Sequence, residues 1–388
     1  MLIAAGGIAD HIRRLSGSGW LKEALLLAAS ALENRLITAT EHRDLIAQIR
    51  YAEPTVFSRP QEVFGMAHDS VISSLQFTRL ESRDDMREAF RQAVRWVEIE
   101  TSSQCNRRCS YCPNSIFDRT KGNDFLDPDL YAGLLSDLTE IDFDGEIVFV
   151  GNNEFLMHDR NFAYLADARR RLGGATLAIY SNGDYLDAAK LEQLAESGVD
   201  RLAVTLHPAP GKPFDEAEVE RRATVLMRRT GLKLIRTIHE PGEFILFATE
   251  SDGMDISVAL HNFAVTGHNW AGLLPGHESH VRTDPCSYPL RQFVVNHDGD
   301  IFSCCFAFKE RNDSTENNGM WTGNLRDYPS IFHAYASEAL VAWRRAAFTT
   351  APKDGPCRTC TGHLGNIEAS FAPLADHIAA TRDRGDAS

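Results

Sequence analysis

The chain has 388 residues, 43% of them hydrophobic, enough to bury one large core or two moderate ones. Its 40 Lys and Arg against 54 Asp and Glu leave a formal net charge of -14, which argues against nucleic acid or an anionic membrane as the main partner. The clearest helix-length apolar stretch, residues 24–32, is too short to span a bilayer, and the N-terminus lacks the basic, apolar, small-residue order of a signal peptide. A cytoplasmic protein is expected.

In chain order, the spacing predicts a helix over about 21–34, and Thr38-Ala39-Thr40-Glu41 reads as a capping box that opens another through Arg50. Residues 52–60, with two prolines, read as a linker or extended segment. Residues 96–100 are a strand candidate with Trp96, Glu98 and Glu100 on one face. A helix over about 128–138 follows, with Asp127 as N-cap and Pro128 in its first turn, and then a strand over 146–150. The alternation continues as helix 161–172, strand 176–180, helix 188–196, strand 201–206, helix 215–229 and strand 232–238, with 256–260 as a last strand. A βα unit repeated about six times predicts an α/β fold whose parallel sheet is closed or partly closed into a barrel.

Chemistry in such barrels gathers at the C-terminal strand ends. Polar residues recur there: Gly151-Asn152-Asn153-Glu154 after the second strand, Ser181-Asn182-Gly183-Asp184 after the third, Thr205 and His207 at the fourth, Arg236 and His239 at the fifth. Their convergence on one rim points to a shared ligand.

Eight cysteines fall into two groups, Cys105, Cys109 and Cys112, then Cys286, Cys304, Cys305, Cys357 and Cys360. A long chain in a reducing compartment makes four disulfides the weaker account. The first group follows the 96–100 strand as C-x3-C-x2-C, three soft thiolates suited to an iron–sulfur cluster with one iron left for a substrate or cosubstrate. A zinc loop completed by a distant His or Cys is the other reading. In the second group Cys286 precedes a hairpin-like stretch, 292–296 and 301–303, turned through His297-Asp298-Gly299-Asp300, and Cys357-Arg358-Thr359-Cys360 comes later. Cys286, Cys304, Cys357 and Cys360 suit one cluster or one zinc ion, leaving Cys305 over.

The first loop, with Tyr111 just before its last cysteine, resembles that of the radical S-adenosylmethionine (SAM) enzymes. The resemblance implies that Cys105, Cys109 and Cys112 ligate a [4Fe–4S] cluster whose open iron chelates S-adenosylmethionine, with Tyr111 near the adenine side. Family members often carry Gly-Gly-Glu-Pro after the second strand; here the run is Gly151-Asn152-Asn153-Glu154-Phe155, which keeps Gly151 and Glu154 as candidate contacts to the methionine end. Ser181 and Asn182 join them as cofactor-binding candidates. By position alone, Thr205 suits the ribose hydroxyls and Arg236 the methionine carboxylate, because a guanidinium matches a carboxylate bidentately. The second group, with Gly299 to Cys304 and Gly323-Asn324-Leu325, resembles the C-terminal SPASM or twitch extensions of the same enzymes. That implies one auxiliary [4Fe–4S] cluster held by Cys286, Cys304, Cys357 and Cys360. The expected organisation is a helical region and linker over 1–90, a partial (β/α)6 TIM-like barrel over 91–280, an auxiliary-cluster domain over 281–370 and a tail over 371–388.

The resemblance implies hydrogen abstraction from substrate by a 5′-deoxyadenosyl radical placed by the barrel. Relatives with one auxiliary cluster include dehydrogenases of sugar or aminocyclitol secondary alcohols. Others epimerise or dehydrate aminoglycosides or modify ribosomal peptides, and an epimerase would need a hydrogen donor, for which Cys305 is the unassigned thiol. The N-terminal region shows no strand pattern of the kind peptide-binding domains use, which favours a small molecule over a peptide. Glu98, Glu100 and Asp184 are candidates to hold its ammonium groups. A flavodoxin or ferredoxin is the expected electron donor, with no nucleic-acid or membrane partner. A non-enzymatic protein stabilised by its metal centres is the alternative from another class.

Overall fold

The computed structural model describes residues 5–17, 21–51, 71–208, 212–275, 279–308, 319–362 and 371–385. The chain divides into two compact units, Met1–Trp96 with Ser279–Phe293 and Tyr328–Ser388, and Val97–Glu278 with Val294–Asp327.

In the first unit, α1 (Ala5–Gly17), α2 (Leu21–Glu33) and α3 (Ala39–Tyr51) are followed by α4 (Arg83–Ala93). Ile8 and Ile12 are four apart, and Ala24, Leu27, Ala28 and Ala31 follow the i, i+3, i+4, i+7 spacing that puts one apolar stripe on a helix. These stripes share a core with Leu45, Phe77, Phe348, Leu374 and Ile378, where each large aliphatic side chain contributes roughly 1.5–3 kcal/mol over leaving it exposed. The capping box is formed: the Thr38 N–H donates to the Glu41 carboxylate at 2.8 Å, and the Glu41 N–H donates to Thr38 Oγ1 at 3.2 Å. Among the described residues no strand precedes Trp96; the expected linker over 52–60 lies outside them. Within 371–388, expected as a tail, the helix Ala372–Gly385 contributes Leu374, Ala375 and Ile378 to this core.

The second unit carries most of the sheet. β1 (Trp96–Ile99), β2 (Glu146–Phe149), β3 (Thr176–Ser181) and β4 (Arg201–Thr205) alternate with α5 (Pro128–Glu140), α6 (Asn161–Arg171), α7 (Ala188–Glu196) and α8 (Glu216–Thr230). Side-chain caps start three of these helices: Asp127, Asp187 and Asp215 each accept a backbone N–H of the first turn, at 2.9, 2.8 and 2.9 Å. Gly231, at φ 80°, ends α8 in the left-handed conformation that a side chain would resist. The α/β fold expected from the sequence is present, with β2, β3 and β4 parallel in register.

After α8 the chain departs from the expected rhythm. Instead of a fifth parallel strand over 232–238, β5 (Ile235–Glu240), β6 (Phe244–Ser251) and β7 (Met254–His261) form an antiparallel meander whose last strand pairs parallel with β4. The order is β10-β9-β8-β1-β2-β3-β4-β7-β6-β5, which puts β5 at the outer edge. Two turns cause this. Pro241 and Gly242 (φ 76°) turn β5 into β6, closed by the Glu243 N–H donating to the Glu240 carbonyl at 3.0 Å, and Asp252 and Gly253, both at positive φ, turn β6 into β7. On the other edge β8 (Gln292–Val295), β9 (Asp300–Phe302) and β10 (Trp321–Asn324) add beside β1, so the hairpin that carries Cys304 extends the barrel's own sheet.

Candidate active site

The cysteine loop leaves β1 and is tied at several points to the ends of β2 and β3. The Glu154 N–H donates to the Gln104 carbonyl at 2.8 Å. Arg107 forms a fork with Asp184, at 2.6 and 2.5 Å, and Asn106 donates to the same carboxylate at 2.7 Å. Asn182 donates to Asn106 Oδ1 at 2.8 Å. Although burial works against it, Arg107 and Asn106 hold the Asp184 carboxyl below its usual range. Asp184, a candidate for a substrate ammonium group, is thus occupied in shaping the loop.

Within the loop Cys105 is 7% exposed, and its N–H donates to the Arg119 carbonyl at 3.2 Å. Burial pushes the Cys105 thiol up to about 11 and the Cys112 thiol up to about 12, and charge on Cys109 adds to both. Three thiols within electrostatic reach of one another are the soft donor set that an iron–sulfur cluster takes. Among the described residues no three His, Cys, Asp or Glu side chains converge tightly enough to hold a single metal ion.

Glu154 is buried beside this loop. Its carboxylate accepts from Ser181 Oγ at 2.7 Å, the Asn182 N–H at 2.7 Å and the Leu156 N–H at 3.1 Å. Among the described residues it has no cationic partner, and burial raises its carboxyl above the ordinary value. A carboxylate offers about four acceptor directions, so one remains for an ammonium donor, which fits the methionine amino group of S-adenosylmethionine. Ser181 and Asn182 are thereby brought together with Glu154. Gly151 is required by packing: a Cβ there would lie 2.6 Å from the Cβ of Glu100.

Glu100 is a hub that the sequence did not single out as structural. Its carboxylate accepts from Arg119 at 2.7 Å and from the Asn152 N–H at 2.7 Å, and lies 2.7 Å from His297 Nδ1. Burial works against the charge, yet Arg119 and His297 hold the Glu100 carboxyl down to about 2. The cysteine loop, the loop after β2 and the β8–β9 turn therefore share one buried anion.

Tyr111 stacks on Phe263, centroids 3.7 Å apart and planes 10° from parallel, and its hydroxyl lies 2.8 Å from His207 Nδ1. Burial holds His207 down to about 3, so the imidazole is neutral. Beside this aromatic shelf a cavity of about 430 Å³ is walled by Leu206, His207, Phe214, Val219 and Leu260, with Lys212 and Arg222 at its margin. Thr205 ends β4, half-buried, with no hydrogen-bond partner for its hydroxyl among the described residues. Arg236 and His239 are not on this rim. They lie on β5, three strands beyond β4, where Arg236 pairs with Glu220 of α8 at 2.9 Å and His239 with Glu216 at 3.0 Å. The carboxylate contact expected of Arg236 fails because its strand is the sheet's outer edge.

Of the second cysteine group, Cys286, Cys357 and Cys360 belong to the first unit and Cys304 and Cys305 to the second. In the first unit, the charges of Cys286 and Cys357 both act on the Lys353 ammonium. In the second, Cys304 is 6% exposed and shares a hydrogen bond with Cys305 that, with burial, pushes its thiol far up.

The class defined by this cysteine loop and barrel is that of the radical SAM proteins: residues 99–236 match the model of the radical SAM superfamily, and residues 286–361 match that of the SPASM iron–sulfur cluster-binding domain. The chain thus carries a radical SAM domain and a SPASM-type extension, domains that imply a [4Fe–4S] cluster, S-adenosylmethionine and iron–sulfur clusters in the extension. It is similar to the S-adenosyl-L-methionine-dependent 2-deoxy-scyllo-inosamine dehydrogenase of Niallia circulans, 37% identical over 118 residues, 30% of this chain and 47% of that protein. It also resembles the tungsten-containing aldehyde ferredoxin oxidoreductase cofactor-modifying protein of Pyrococcus furiosus, 29% identical over 117 residues, 30% of this chain and 32% of that protein. The chain thus spans less than half the length of either relative. Among solved structures, BtrN in complex with AdoMet and 2-DOIA is 23% identical with a TM-score of 0.49, covering 69% of this chain and 93% of that one. No helix among the described residues is long and apolar enough to cross a membrane.

Proposed function

We propose that the chain is a dehydrogenase that oxidises a secondary alcohol of an aminocyclitol or amino sugar. The observation that carries the reading is the pairing of three free thiols in one loop, Cys105 buried and Cys109 and Cys112 half-buried, with Glu154, a buried carboxylate that has no cationic partner among the described residues, at the C-terminal ends of parallel strands. The similarity to a 2-deoxy-scyllo-inosamine dehydrogenase supports the choice of substrate. When bound, the cofactors supply one-electron cleavage of S-adenosylmethionine, which yields a hydrogen-abstracting radical, and an iron–sulfur acceptor for the second electron. Converting a carbinol to a ketone removes two electrons and two protons, so a single hydrogen abstraction leaves one of each to be accepted.

In this reading Cys105, Cys109 and Cys112 hold the first cluster, Glu154 receives the methionine ammonium, and Tyr111 and Thr205 border the nucleoside. Arg107, Asp184 and Asn182 fix the loop that carries the thiols. By their spacing, Cys286, Cys304, Cys357 and Cys360 are the proposed ligands of one auxiliary cluster. The electron donor is a small flavin or iron–sulfur protein. Anaerobic reconstitution with iron, sulfide and a reductant, followed by assay of 2-deoxy-scyllo-inosamine for a ketone and of S-adenosylmethionine for cleavage, tests the reading. Cleavage without any two-electron oxidation of aminocyclitols contradicts it.

One observation favours epimerisation as a second reading: Cys305 acts electrostatically on Tyr180, a residue of the barrel interior. A Cys305 hydrogen donor would fix solvent deuterium at a substrate carbon in D2O, and Cys305→Ala would abolish that label.

A further inference from the structure

Of the three acids that the sequence offers to an ammonium group, two are engaged by the chain's own side chains: Asp184 by Arg107, and Glu100 by Arg119 and His297. Glu98 is not. It is 7% exposed and has no hydrogen bond or ion pair among the described residues. Burial, with the Glu100 charge behind it, pushes its carboxyl up to about 8.

Its surroundings are those of a polar lumen. Val97 and Ile99 are fully buried on the opposite face of β1, while Glu98 acts on Tyr180 of β3 and on Cys304. On β4 the lumen-facing Arg201, Ala203 and Thr205 keep partial exposure whereas Leu202 and Val204, which face the helices, are 1% exposed. Tyr180 is likewise half-buried between the buried Ile179 and Ser181. The lumen's own guanidinium, Arg201, is engaged by Glu146 at 3.2 Å. A largely buried carboxyl with no partner is costly to keep charged, and a cation from outside the chain would offset that cost.

We propose that Glu98 is the residue that selects an amino-bearing substrate: its carboxylate receives the substrate ammonium group inside the barrel. This rests on the barrel being the substrate site of the dehydrogenase reading. It assigns the amine to one side chain and predicts discrimination against the same ring with a hydroxyl in that place, because removing one partner of a buried charge pair leaves the other uncompensated.

The test is equilibrium binding of 2-deoxy-scyllo-inosamine, and of its counterpart carrying a hydroxyl for the amine, to the reconstituted, unreduced holoenzyme with S-adenosylmethionine present, so that no turnover occurs. The wild type should prefer the amine by about 30-fold or more. Glu98→Gln should remove that preference and leave the hydroxyl compound within about twofold, and Glu98→Asp should restore part of it. Iron content and cluster absorbance report whether each variant is intact. Equal affinity of the wild type for the two rings, no binding of either, or a preference that survives Glu98→Gln overturns the proposal, as does loss of both ligands in both variants, which marks Glu98 as structural. The dehydrogenase reading stands or falls on other data. An enzyme that oxidises both rings equally keeps it and loses this inference; one that selects the amine but forms no ketone does the reverse.

Discussion

Glu98 and Glu100 stand two residues apart on one face of the chain, and their surroundings drive them in opposite directions. Burial raises both; only Glu100 has Arg119 and His297 to overcome it. Because its folded value of about 2 lies below the unfolded value of about 4.3, Glu100 contributes stability that is complete above the unfolded value and is lost as pH falls through the folded one. Glu100→Gln leaves Arg119 and His297 facing a neutral amide. It is expected to lower stability by about 3–5 kcal/mol at pH 7 and to flatten the loss between about pH 4.3 and pH 2, measured by denaturant unfolding across that window. At Glu154 the expected effect is on the ligand: Glu154→Gln keeps an acceptor but removes the charge, and should weaken S-adenosylmethionine binding by about tenfold or more in equilibrium dialysis while iron content holds.

The loops succeed or fail as connected elements. The Arg107–Asp184 fork is partly exposed, with side chains 18% and 34% accessible, so its direct worth is about 1 kcal/mol or less. Its larger effect is on order in the cysteine loop. Asp184→Ala should lower iron retained per chain after reconstitution with only a small loss of global stability, read by iron assay beside thermal unfolding. Much of this architecture is legible in the sequence. Asp127, Asp187 and Asp215 announce helix starts, apolar runs mark β1 to β4, and the cysteine spacing stands at the end of β1 as expected. What is not legible is non-local. Ile235 and Ile238 read as a fifth barrel strand, and only the pairing of β7 with β4 sends β5 to the edge and Arg236 away from the rim. The Pro241-Gly242 and Asp252-Gly253 turns were the available signals for β6. Partners such as Arg107 and Asp184, 77 residues apart, leave no local trace, so the use of Glu100 and Asp184 as structural anions is seen only once the strands are assembled. The helix Ala372–Gly385 did carry its periodicity, in Phe371, Leu374, Ala375 and Ile378, although the sequence suggested a tail.

For the molecule as a whole, the radical SAM and SPASM segments account for 99–236 and 286–361, and the helical N-terminal region, with no strand among its described residues, shares a core with Leu290, Phe348 and the C-terminal helix. The central claim is that the barrel positions the carbinol hydrogen of an amino-bearing ring for abstraction, with a second electron then removed. The most direct measurement uses 2-deoxy-scyllo-inosamine deuterated at the carbon to be oxidised, with reconstituted, reduced enzyme and S-adenosylmethionine under anaerobic conditions. The expected result is one deuterium in the recovered 5′-deoxyadenosine for each ketone formed. Unlabelled 5′-deoxyadenosine with the cyclitol recovered unchanged would contradict it.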